Sequence, residues 1–311
     1  MDKNAKIYVA GHTGMIGSAV VRRLQVAGYN RIVTKPRQEL DLTGRRETER
    51  FFAETKPDCV FLCAAKVGGI GANRAYPADY IFQNLLIQTS VMDAAYRHNA
   101  KKLLFLATPC LYPKDCPQPM KEEHILAGPL EQTSEPFAVA KIAGVRMCQS
   151  YNKQYGTRFL SVIPANGYGV NDHFDEGGHA VAALMAKLHE AKINEGPSVS
   201  VWGTGAPRRE FIYVDDIADA LIFLMNEYDG SEVINVGTGR ETSIGELVKI
   251  IGKTAQFEGK IEFDHGKPDG NPRRFLDSSK ISSMGWKPKI SLEEGLRITY
   301  EWFTNRRGQP G

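Results

Sequence analysis

The sequence predicts an α/β protein with a doubly wound parallel sheet and a smaller C-terminal domain. Strand-like and helix-like segments alternate from Lys6 to Ile163, as they do in right-handed βαβ units. The strand-like segments are short apolar runs, which is typical of a sheet covered by helices on both faces. A glycine-rich turn, GHTGMIG, separates the first strand from the first helix. Together these observations indicate a Rossmann-type sheet.

Hydrophobic periodicity gives the order of the elements along the chain. The predicted strands of the sheet cover residues 6–10, 31–34, 59–63, 102–106, 158–163 and 231–236. The predicted helices cover residues 18–28, 41–58, 77–98 and 137–156. Beyond residue 170 the composition changes. There we expect a polar loop, a helix that carries His179 and Lys187, a strand at 199–202 and an amphipathic last helix at 290–303.

Composition excludes several classes of protein. Hydrophobic residues make up 42% of the 311 residues, which is enough for a substantial core. The 39 basic and 36 acidic residues give a net charge of +3, so no nucleic-acid partner is expected. No 18-residue apolar segment or signal-peptide run occurs, so we expect no membrane segment. The five cysteines lack metal-binding spacing, which favours reduced thiols in the cytoplasm and no metal site.

The glycine-rich turn is the first candidate binding site. Glycine permits a tight turn and close approach to a pyrophosphate, and the first amides of the following helix favour an anion. Glycines also occur in ordinary turns, but a strand, this turn and a helix in succession predict dinucleotide binding. The residues expected at the cofactor are Gly11, Thr13, Gly14, Met15, Ile16 and Gly17.

The end of the second strand indicates which dinucleotide is bound. The strand runs into Lys35, Pro36 and Arg37, where an NAD site usually has an acidic residue for the ribose 2′-hydroxyl. Cations suit a 2′-phosphate instead. Arg37, with Lys35 as a second candidate, therefore favours NADP(H), unless both side chains simply face solvent.

The stretch 104–141 carries the candidate chemistry. Thr108 and Cys110 follow a buried strand, so they are expected at its carboxyl end, the ligand side of such folds. Pro136 begins a helical pattern that has Lys141 on its first turns. We expect the two segments to meet.

This arrangement resembles that of the extended short-chain dehydrogenase/reductases. The motifs KVGGI (66–70), PCLYP (109–113), RREF (208–211) and KPDGNPRR (267–274) narrow the resemblance to the GDP-L-fucose synthase family, and it covers essentially all 311 residues. Members of that family epimerise and then reduce GDP-4-keto-6-deoxymannose. The resemblance thus implies an enzyme that uses NADP(H), acts on a GDP-linked 4-keto sugar and forms a homodimer through its two long helices.

In this family a Ser or Thr after the strand works with a Tyr-x-x-x-Lys sequence on the helix. The resemblance implies that Thr108 hydrogen-bonds the carbonyl oxygen and that Lys141 holds the nicotinamide ribose. Phe137 occupies the tyrosine position and cannot donate a proton. Loss of a positioned general acid costs about 10²–10⁴ in rate, so reduction is expected to be impaired. Tyr112 is not expected to replace the missing acid.

Epimerisation at C3 and C5 is separable chemistry, because one group must remove a proton from carbon and another must return one on the opposite face. The resemblance assigns these tasks to Cys110 and His179. Taken without the resemblance, Cys110 could equally be an inert thiol and His179 a structural imidazole.

The resemblance also implies binding residues. Asp41 is expected near the adenine, Ala64 and Ala65 beside the cofactor, and Pro164 and Asn166 at the nicotinamide. The expected substrate contacts are Asn166, His179, Lys187, Trp202 and Arg209. Taken without the resemblance, Ala64 and Ala65 could be ordinary packing alanines and Lys187 a surface lysine. Trp202 could be a core tryptophan, and Arg209 a salt-bridged arginine.

The two binding tasks divide the chain. Residues 1–165 with about 211–242 are expected to form the NADP-binding Rossmann domain. Residues from about 166 to 210 and from 243 to 311 are expected to form the GDP-sugar-binding domain. Whether the sugar is a hexose or a heptose is left open.

Phe137 leaves several interpretations of function open. In the first, the chain is a bifunctional enzyme substituted at this position. In the second, it is a natural branch that only epimerises a related GDP-4-keto sugar. In the third, it is a non-catalytic NADP(H)-dependent sensor. Cys110 and His179 argue against the sensor, which has no use for an acid–base pair. Another alternative is a different nucleotide-sugar epimerase or dehydratase that uses UDP or dTDP. A dehydratase would need acidic groups after Thr108, and Pro109 and Cys110 supply none.

We predict that NADP(H) binds at least tenfold more tightly than NAD(H), a difference of about 1.4 kcal/mol. The reason is that Arg37 and Lys35 stand where an NAD site has a carboxylate. Isothermal titration calorimetry with the two cofactors measures the ratio, and equal affinities would contradict the prediction.

Overall fold

The computed structural model describes residues 1–175 and 178–307, and its centre is a sheet of six strands. The strands of the chain are β1 (Ile7–Ala10), β2 (Ile32–Val33), β3 (Cys59–Leu62), β4 (Lys102–Leu106), β5 (Phe159–Pro164), β6 (Asn166–Tyr168), β7 (Ser198–Trp202), β8 (Arg208–Arg209), β9 (Phe211–Tyr213), β10 (Ile234–Val236), β11 (Thr242–Ser243), β12 (Lys260–Asp264) and β13 (Arg273–Arg274). The helices are α1 (Met15–Val26), α2 (Arg45–Thr55), α3 (Ile70–Ala75), α4 (Pro77–Arg97), α5 (Glu135–Tyr155), α6 (Ala180–Ile193), α7 (Val214–Glu227), α8 (Ile244–Ala255), α9 (Ser279–Ser283) and α10 (Leu292–Arg307). Short 3-10 turns cover Pro109–Leu111 and Glu122–His124.

The order of strands in the central sheet is β2-β1-β3-β4-β5-β10, and every neighbouring pair is parallel. From β1 the chain moves outward to β2 and then crosses back to β3 on the other side of β1. Such a reversal leaves a crevice outside the carboxyl ends of β1 and β3, where ligands bind in open α/β sheets. The doubly wound parallel fold predicted from the sequence is confirmed.

Helices cover both faces of the sheet. α1 packs against α7, whereas α4 packs against α2 and α5. Right-handed crossovers place these two groups on opposite faces, because α1 leads away from β1 and α2 leads back across it. Every residue of β1, β3, β4 and β5 is buried, as expected for a parallel sheet covered on both sides. Within the described ranges, no helix has the length and apolar character needed to span a bilayer.

Two glycines of the turn after β1 are required by contacts inside the protein. Gly11 has a φ of +81°, and a β-carbon there would lie 2.7 Å from the backbone nitrogen of Ala64. A β-carbon on Gly17 would collide with the carbonyl oxygen of Gly11. At Gly14 a β-carbon would lie 3.5 Å from the same oxygen, which is an ordinary contact. Gly11 and Gly17 therefore shape the turn, while Gly14 is open to solvent.

The remaining strands form three small sheets outside the central one. β6 pairs with β9, β7 pairs with β12, and β8 lies between β11 and β13. β6 follows β5 after a single residue, and α7 leads back toward β10 of the central sheet. The chain therefore leaves the central sheet after β5 and returns to it once before the last helices.

Most predicted elements are present within a few residues of their predicted bounds. The helix predicted at 41–58 begins only at Arg45. The reason is a turn in which the Asp41 carboxylate accepts the amide and the hydroxyl of Thr43 at 3.0 and 2.8 Å. The predicted helix that carries His179 begins one residue later, so His179 is the N-cap residue of α6.

We predict that Gly144→Ala destabilises the protein by about 1–3 kcal/mol through overpacking, although alanine favours a helix by up to about 1 kcal/mol. A β-carbon at Gly144 of α5 would lie 2.6 Å from Cε1 of Phe105 and 2.9 Å from Oε1 of Gln88. Gly252→Ala in α8 is the matched control, because its β-carbon would meet only Ile261 at 3.4 Å. Urea denaturation of both variants tests this, and equal stabilities would contradict it.

Candidate active site

The turn after β4 holds the two residues predicted at the carboxyl end of the strand. Thr108 is the N-cap residue of the 3-10 turn, and its hydroxyl oxygen accepts a hydrogen bond from the Cys110 amide at 3.4 Å. Arg274 donates to the carbonyl oxygen of Pro109 at 3.1 Å. Thr108 and Cys110 are half-buried, and α5 packs against the turn. Strand, helix and arginine thus fix both side chains at the edge of the sheet.

Lys141 lies in the first turns of α5 with 4% of its surface exposed. Its ammonium donates to the Leu106 carbonyl at 2.8 Å and lies 4.6 Å from the centroid of the Phe105 ring. Burial lowers the pKa of Lys141 to about 8, although the nearby Cys63 opposes this effect. In the described ranges no carboxylate pairs with Lys141. Two of its three hydrogen-bond donors therefore remain for a ligand.

Phe137 lies one helical turn before Lys141 and is 9% exposed. The Lys141 ammonium is 5.9 Å from the centroid of the Phe137 ring. Tyr80 of α4 meets Phe137 edge to face, with 6.2 Å between centroids and 90° between planes. Position 137 therefore contributes a packed ring beside the lysine and no hydroxyl.

His179 and Asp172 form a hydrogen-bonded pair before α6. Nδ1 of His179 lies 2.8 Å from Oδ1 of Asp172, and the side chains are 52% and 1% exposed respectively. The hydrogen bond to Asp172 raises the pKa of His179, against the opposing effect of burial. Oδ2 of Asp172 has no partner among the described residues. Sequence reasoning misses Asp172, because a carboxylate seven residues before a histidine is not a motif.

A cavity of about 240 Å³ is lined by both His179 and Tyr80. Its other lining residues are Val67, Gly68, Ala72, His173, Asp175 and Gly178. Tyr80 also meets Phe137 edge to face, so one aromatic ring separates the cavity from Phe137. Pockets for whole drug-sized ligands measure roughly 300–1,000 Å³, so this cavity suits one ring of a larger ligand. A depression of about 460 Å³ beside Arg146 is lined by none of the predicted site residues.

The start of α1 can hold the phosphates of a dinucleotide. Gly14 is the N-cap residue, no side chain caps the helix, and the first turn has no acidic residue, so the first amides are free to bind an anion. Thr13 and Gly14 are exposed, and Met15 and Ile16 are half-buried. Nδ1 of His12 is buried without a partner in the described chain. These features fit a dinucleotide.

The cations after β2 have acidic partners at the surface. Arg37 pairs with Asp41 at 3.3 Å, and Lys35 pairs with Glu39 at 2.6 Å. Exposed ion pairs contribute about 0–1 kcal/mol, so a phosphate could replace either carboxylate. The Thr43 amide, more than Arg37, lowers the pKa of Asp41. The roles of Arg37 at a 2′-phosphate and of Asp41 at the adenine stay predictions.

The segment after β3 is held beside the glycine-rich turn by a helical asparagine. Ala64 and Ala65 are half-buried there. Asn84 of α4 accepts the Lys66 amide at 3.0 Å, and its Nδ2 donates to the carbonyls of Lys66 at 3.0 Å and Tyr80 at 2.7 Å. The sequence does not distinguish Asn84 from an ordinary helical asparagine, so this clamp is visible only in the structure.

The segment after β5 is positioned by a buried glutamate. Pro164 ends β5 and Asn166 begins β6, and Nδ2 of Asn166 donates to the Glu210 carbonyl at 2.8 Å. The Glu210 carboxylate, in a residue that is 1% exposed, accepts the amides of Thr238 at 2.6 Å and Leu276 at 3.1 Å. Burial raises the pKa of Glu210, and the amides oppose that effect. Within the RREF motif, Glu210 therefore joins three segments around the site.

Lys187 and Trp202 lie together on the surface, beside the small sheet of β7 and β12. Trp202 is 69% exposed, so it is not a core tryptophan. The Lys187 ammonium donates to the carbonyl of Ser200, on the same strand as Trp202, at 2.5 Å. Lys267 lies 5.5 Å from the centroid of the Trp202 ring. An open indole face with two neighbouring cations can bind a ring attached to phosphates.

Four arginines lie on the neighbouring strands β8 and β13, with Arg208 in register with Arg273 and Arg209 in register with Arg274. Side chains alternate along a strand, so the two register pairs point to opposite faces. Arg208 and Arg273 have glutamate partners. Arg209 and Arg274 bind only backbone carbonyls in the described chain, including that of Asn271 at 2.6 Å from Arg209. Burial and the neighbouring Arg274 lower the pKa of Arg209.

The doubly wound sheet, the open start of α1 and the hydrogen bond from Lys141 to the end of β4 are the features of an extended short-chain dehydrogenase/reductase. The model of the NAD dependent epimerase/dehydratase family matches residues 7–237, and the chain belongs to that family. The chain is 52% identical over 303 residues to GDP-L-fucose synthase 1 of Arabidopsis thaliana, which covers 97% of this chain and 94% of that protein.

Solved structures agree with this assignment. A GDP-6-OMe-4-keto-L-xylo-heptose reductase from Campylobacter jejuni matches with a TM-score of 0.93 and 39% identity, over 98% of this chain and 99% of that one. A GDP-mannoheptose C4 reductase from the same organism, with NADP bound, matches with a TM-score of 0.91 and 41% identity, over the same shares of the two chains. The predicted resemblance to the GDP-L-fucose synthase family is confirmed.

We predict that Asp172→Asn lowers the pKa of His179 toward its ordinary value of about 6.5, because the hydrogen bond that favours the imidazolium is lost. In the parent the raised pKa favours folding fully below about pH 6.5, and that contribution disappears as pH rises through the folded-state pKa. NMR titration of the imidazole signals measures the change, with the His179 signal assigned from a His179→Gln spectrum. The other histidine signals are internal controls. An unmoved His179 midpoint would show that Asp172 does not control its charge.

Proposed function

We propose that this protein binds NADP(H) and acts as a 3,5-epimerase and 4-reductase on a GDP-linked 4-keto-6-deoxy sugar, with reduction slowed by Phe137. One observation carries the proposal: α5, which carries Lys141 and Phe137, packs against the turn that holds Cys110, and Phe137 meets Tyr80, which lines the same cavity as His179. The activity in the name of the Arabidopsis relative and the NADP in the solved heptose reductase support it.

In the reduction, NADPH supplies a hydride to C4 of the sugar when bound. Thr108 can donate a hydrogen bond to the carbonyl oxygen and so stabilise the negative charge that develops there. Lys141 uses one donor on the Leu106 carbonyl and has two left for the ribose of the cofactor. Phe137 offers no proton to the alkoxide, and the loss of such an acid costs about 10²–10⁴ in rate.

In the epimerisation, the C4 ketone acidifies the hydrogens at C3 and C5, because the carbanion is delocalised as an enolate. The hydrogen bond to Asp172 raises the pKa of His179, which favours the imidazolium and so suits His179 to the role of proton donor. Cys110 then takes the proton on the opposite face. Phe137 has no part in these transfers. Epimerisation is therefore expected to persist where reduction is slow.

At the GDP end, Arg209 and Arg274 bind the pyrophosphate. Both are cations without a carboxylate partner in the described chain, and a guanidinium can engage phosphate oxygens with two parallel hydrogen bonds. The exposed face of Trp202 covers the guanine or the sugar, with Lys187 nearby.

The sugar is a hexose or a heptose, since one relative is named for a fucose product and the two solved relatives for heptoses.

A second candidate function is epimerisation alone on a related GDP-4-keto sugar. Phe137 favours this candidate, because position 137 lacks the phenol while Cys110 and the His179–Asp172 pair are intact. The same pair disfavours a non-catalytic NADP(H)-dependent sensor.

The proposal also includes a homodimer and a division of the chain into two ligand-binding parts. A homodimer forms through α4 and α5, which pack side by side and expose Phe82 and Val139. Residues 1–165 with about 211–242 bind NADP(H), and the rest of the chain binds the GDP-sugar. The free cysteines of the described chain accord with a location in the cytoplasm.

We predict that the protein exchanges the C3 and C5 hydrogens of GDP-4-keto-6-deoxymannose with D₂O, with or without NADPH. We also predict that it oxidises NADPH at least tenfold more slowly than Phe137→Tyr, because only the variant has an acid at that position. NMR of the recovered sugar locates the deuterium, and NADPH absorbance gives the rate of reduction.

Cys110→Ser is the matched control, because it should abolish most of the exchange without changing NADPH affinity. Oxidation of NADPH by the parent as fast as by Phe137→Tyr would contradict the role given to position 137. Absence of both exchange and oxidation in the parent would favour the sensor.

A further inference from the structure

We propose that Tyr80 donates the proton for reduction at C4, in place of the tyrosine missing at position 137. This inference rests on the proposed function, because it concerns the same GDP-linked ketone. The geometry points to Tyr80 because its ring meets Phe137 edge to face, and because Tyr80 lines the cavity that His179 also lines. A phenol from α4 thus reaches the site from the neighbouring helix.

The hydroxyl of Tyr80 lies at the wall of the cavity. The residue is 3% exposed, and its hydroxyl makes no hydrogen bond within the described ranges. Gly68 also lines the cavity, and a β-carbon on it would collide with the Tyr80 hydroxyl oxygen. The hydroxyl is therefore free to donate a hydrogen bond to a ligand oxygen in the cavity.

The other buried phenols near the site have partners. Tyr112 follows the Thr108 turn, but it is fully buried and donates to Oδ1 of Asn235 at 2.7 Å. Tyr168 follows β5, and its hydroxyl donates to the Leu292 carbonyl at 3.2 Å. Among the described residues that line the cavity, Tyr80 is the one tyrosine.

The surroundings of Tyr80 suit proton donation. Asn84 binds the backbone carbonyl of Tyr80 at 2.7 Å and so fixes its place on α4. Burial raises the pKa of Tyr80, so the phenol keeps its proton until a stronger base, the sugar alkoxide, is formed. The Lys66 ammonium lies 5.6 Å from the centroid of the Tyr80 ring and is paired with the Asp79 carboxylate at 3.5 Å.

The proton balance of the step is complete. As hydride adds to C4, the π pair of the carbonyl becomes a lone pair on oxygen. The O–H bond of Tyr80 breaks, its proton forms the new O–H bond of the sugar, and its electron pair stays on the phenolate. Water in the cavity then returns a proton to Tyr80, so each hydride consumes one solvent proton. C3 and C5 are not touched, and exchange there does not depend on Tyr80.

The test compares the parent with Tyr80→Phe, Phe137→Tyr and the double variant. Tyr80→Phe should lower NADPH-dependent reduction at least tenfold and leave C3 and C5 exchange unchanged. Phe137→Tyr should restore reduction in the Tyr80→Phe background, which also shows that the fold is intact. Tyr8→Phe is the control, because Tyr8 is 1% exposed and packs against Phe51 and Phe52 outside the cavity.

A second readout needs no turnover and no cofactor. With ¹³C-labelled tyrosine, the Tyr80 signal is assigned by its loss in Tyr80→Phe. It should shift when GDP-L-fucose is added, because the sugar oxygen then accepts a hydrogen bond from the phenol. The Tyr8 signal should not shift. If Tyr80→Phe fails to fold, the Tyr80 signal is assigned by through-bond NMR of the parent, and its shift with GDP-L-fucose decides the proposal.

Each outcome decides the proposal. Equal rates of NADPH oxidation by the parent and Tyr80→Phe would overturn the proposal. A Tyr80 signal that does not shift when GDP-L-fucose is added would also overturn it. A parent that exchanges C3 and C5 but oxidises no NADPH would also overturn it, while leaving the epimerase part of the proposed function intact. If neither the parent nor Phe137→Tyr exchanges or oxidises, the proposed function itself fails.

Discussion

The geometry of the site depends on how closely α5 lies against β4. The Lys141 ammonium reaches the Leu106 carbonyl at the end of the strand at 2.8 Å. One turn further along, Gly144 leaves the space that the Phe105 ring fills. A larger residue at 144 would lift the helix away from the sheet and lengthen the lysine bond. Because Thr108 follows the strand after one residue, this single packing contact fixes the distance between the two halves of the site.

Buried charges near the site are stabilised mainly by the backbone. Lys141 has a carbonyl partner, Glu210 accepts amides from the loop after β10, and Asp216 of α7 accepts the Ile290 amide at 2.9 Å. An isolated buried charge is costly unless hydrogen bonds compensate it. Backbone partners supply that compensation without a fixed opposite charge. The ammonium of Lys141 is therefore still available to a ligand. His179 differs, because the Asp172 carboxylate raises its pKa and favours its charged form.

The fold was accessible from the sequence because its signals are local. Apolar runs, a glycine turn and two long periodic segments predict the sheet and helices α4 and α5. The amphipathic α8 has an equally local signal, the capping box between Ser243 and Glu246, which the prediction overlooks. The two-residue strands β8 and β13 have no such signal, because their pairing is fixed by contacts between residues distant in the chain.

The candidate site was accessible only in part. Positions 108, 110, 137 and 141 follow from strand and helix spacing together with the family resemblance. Asp172, Asn84 and Glu210 do not, because each acts through a partner that only the folded chain brings near. A common asparagine on a helix or an acidic residue in a loop carries no spacing that would reveal such a partner. Residues that position others are therefore the part of a site that single-sequence reasoning misses first.

The relation between Phe137 and Tyr80 bears on how the two reactions share one site. Phenylalanine keeps the shape of the ring beside Lys141, so the substitution at 137 removes an oxygen and leaves the packing of α5 in place. If Tyr80 donates instead, the proton for the C4 oxygen arrives from the cavity that His179 also lines. The ketone must then turn its oxygen toward the Gly68 wall for reduction, while epimerisation needs C3 and C5 to face the imidazole. The hydrogens that exchange at C3 and C5 project from the faces of the ring, whereas the carbonyl oxygen lies near its plane, so a donor at the Gly68 wall and the His179 imidazole do not compete for one position.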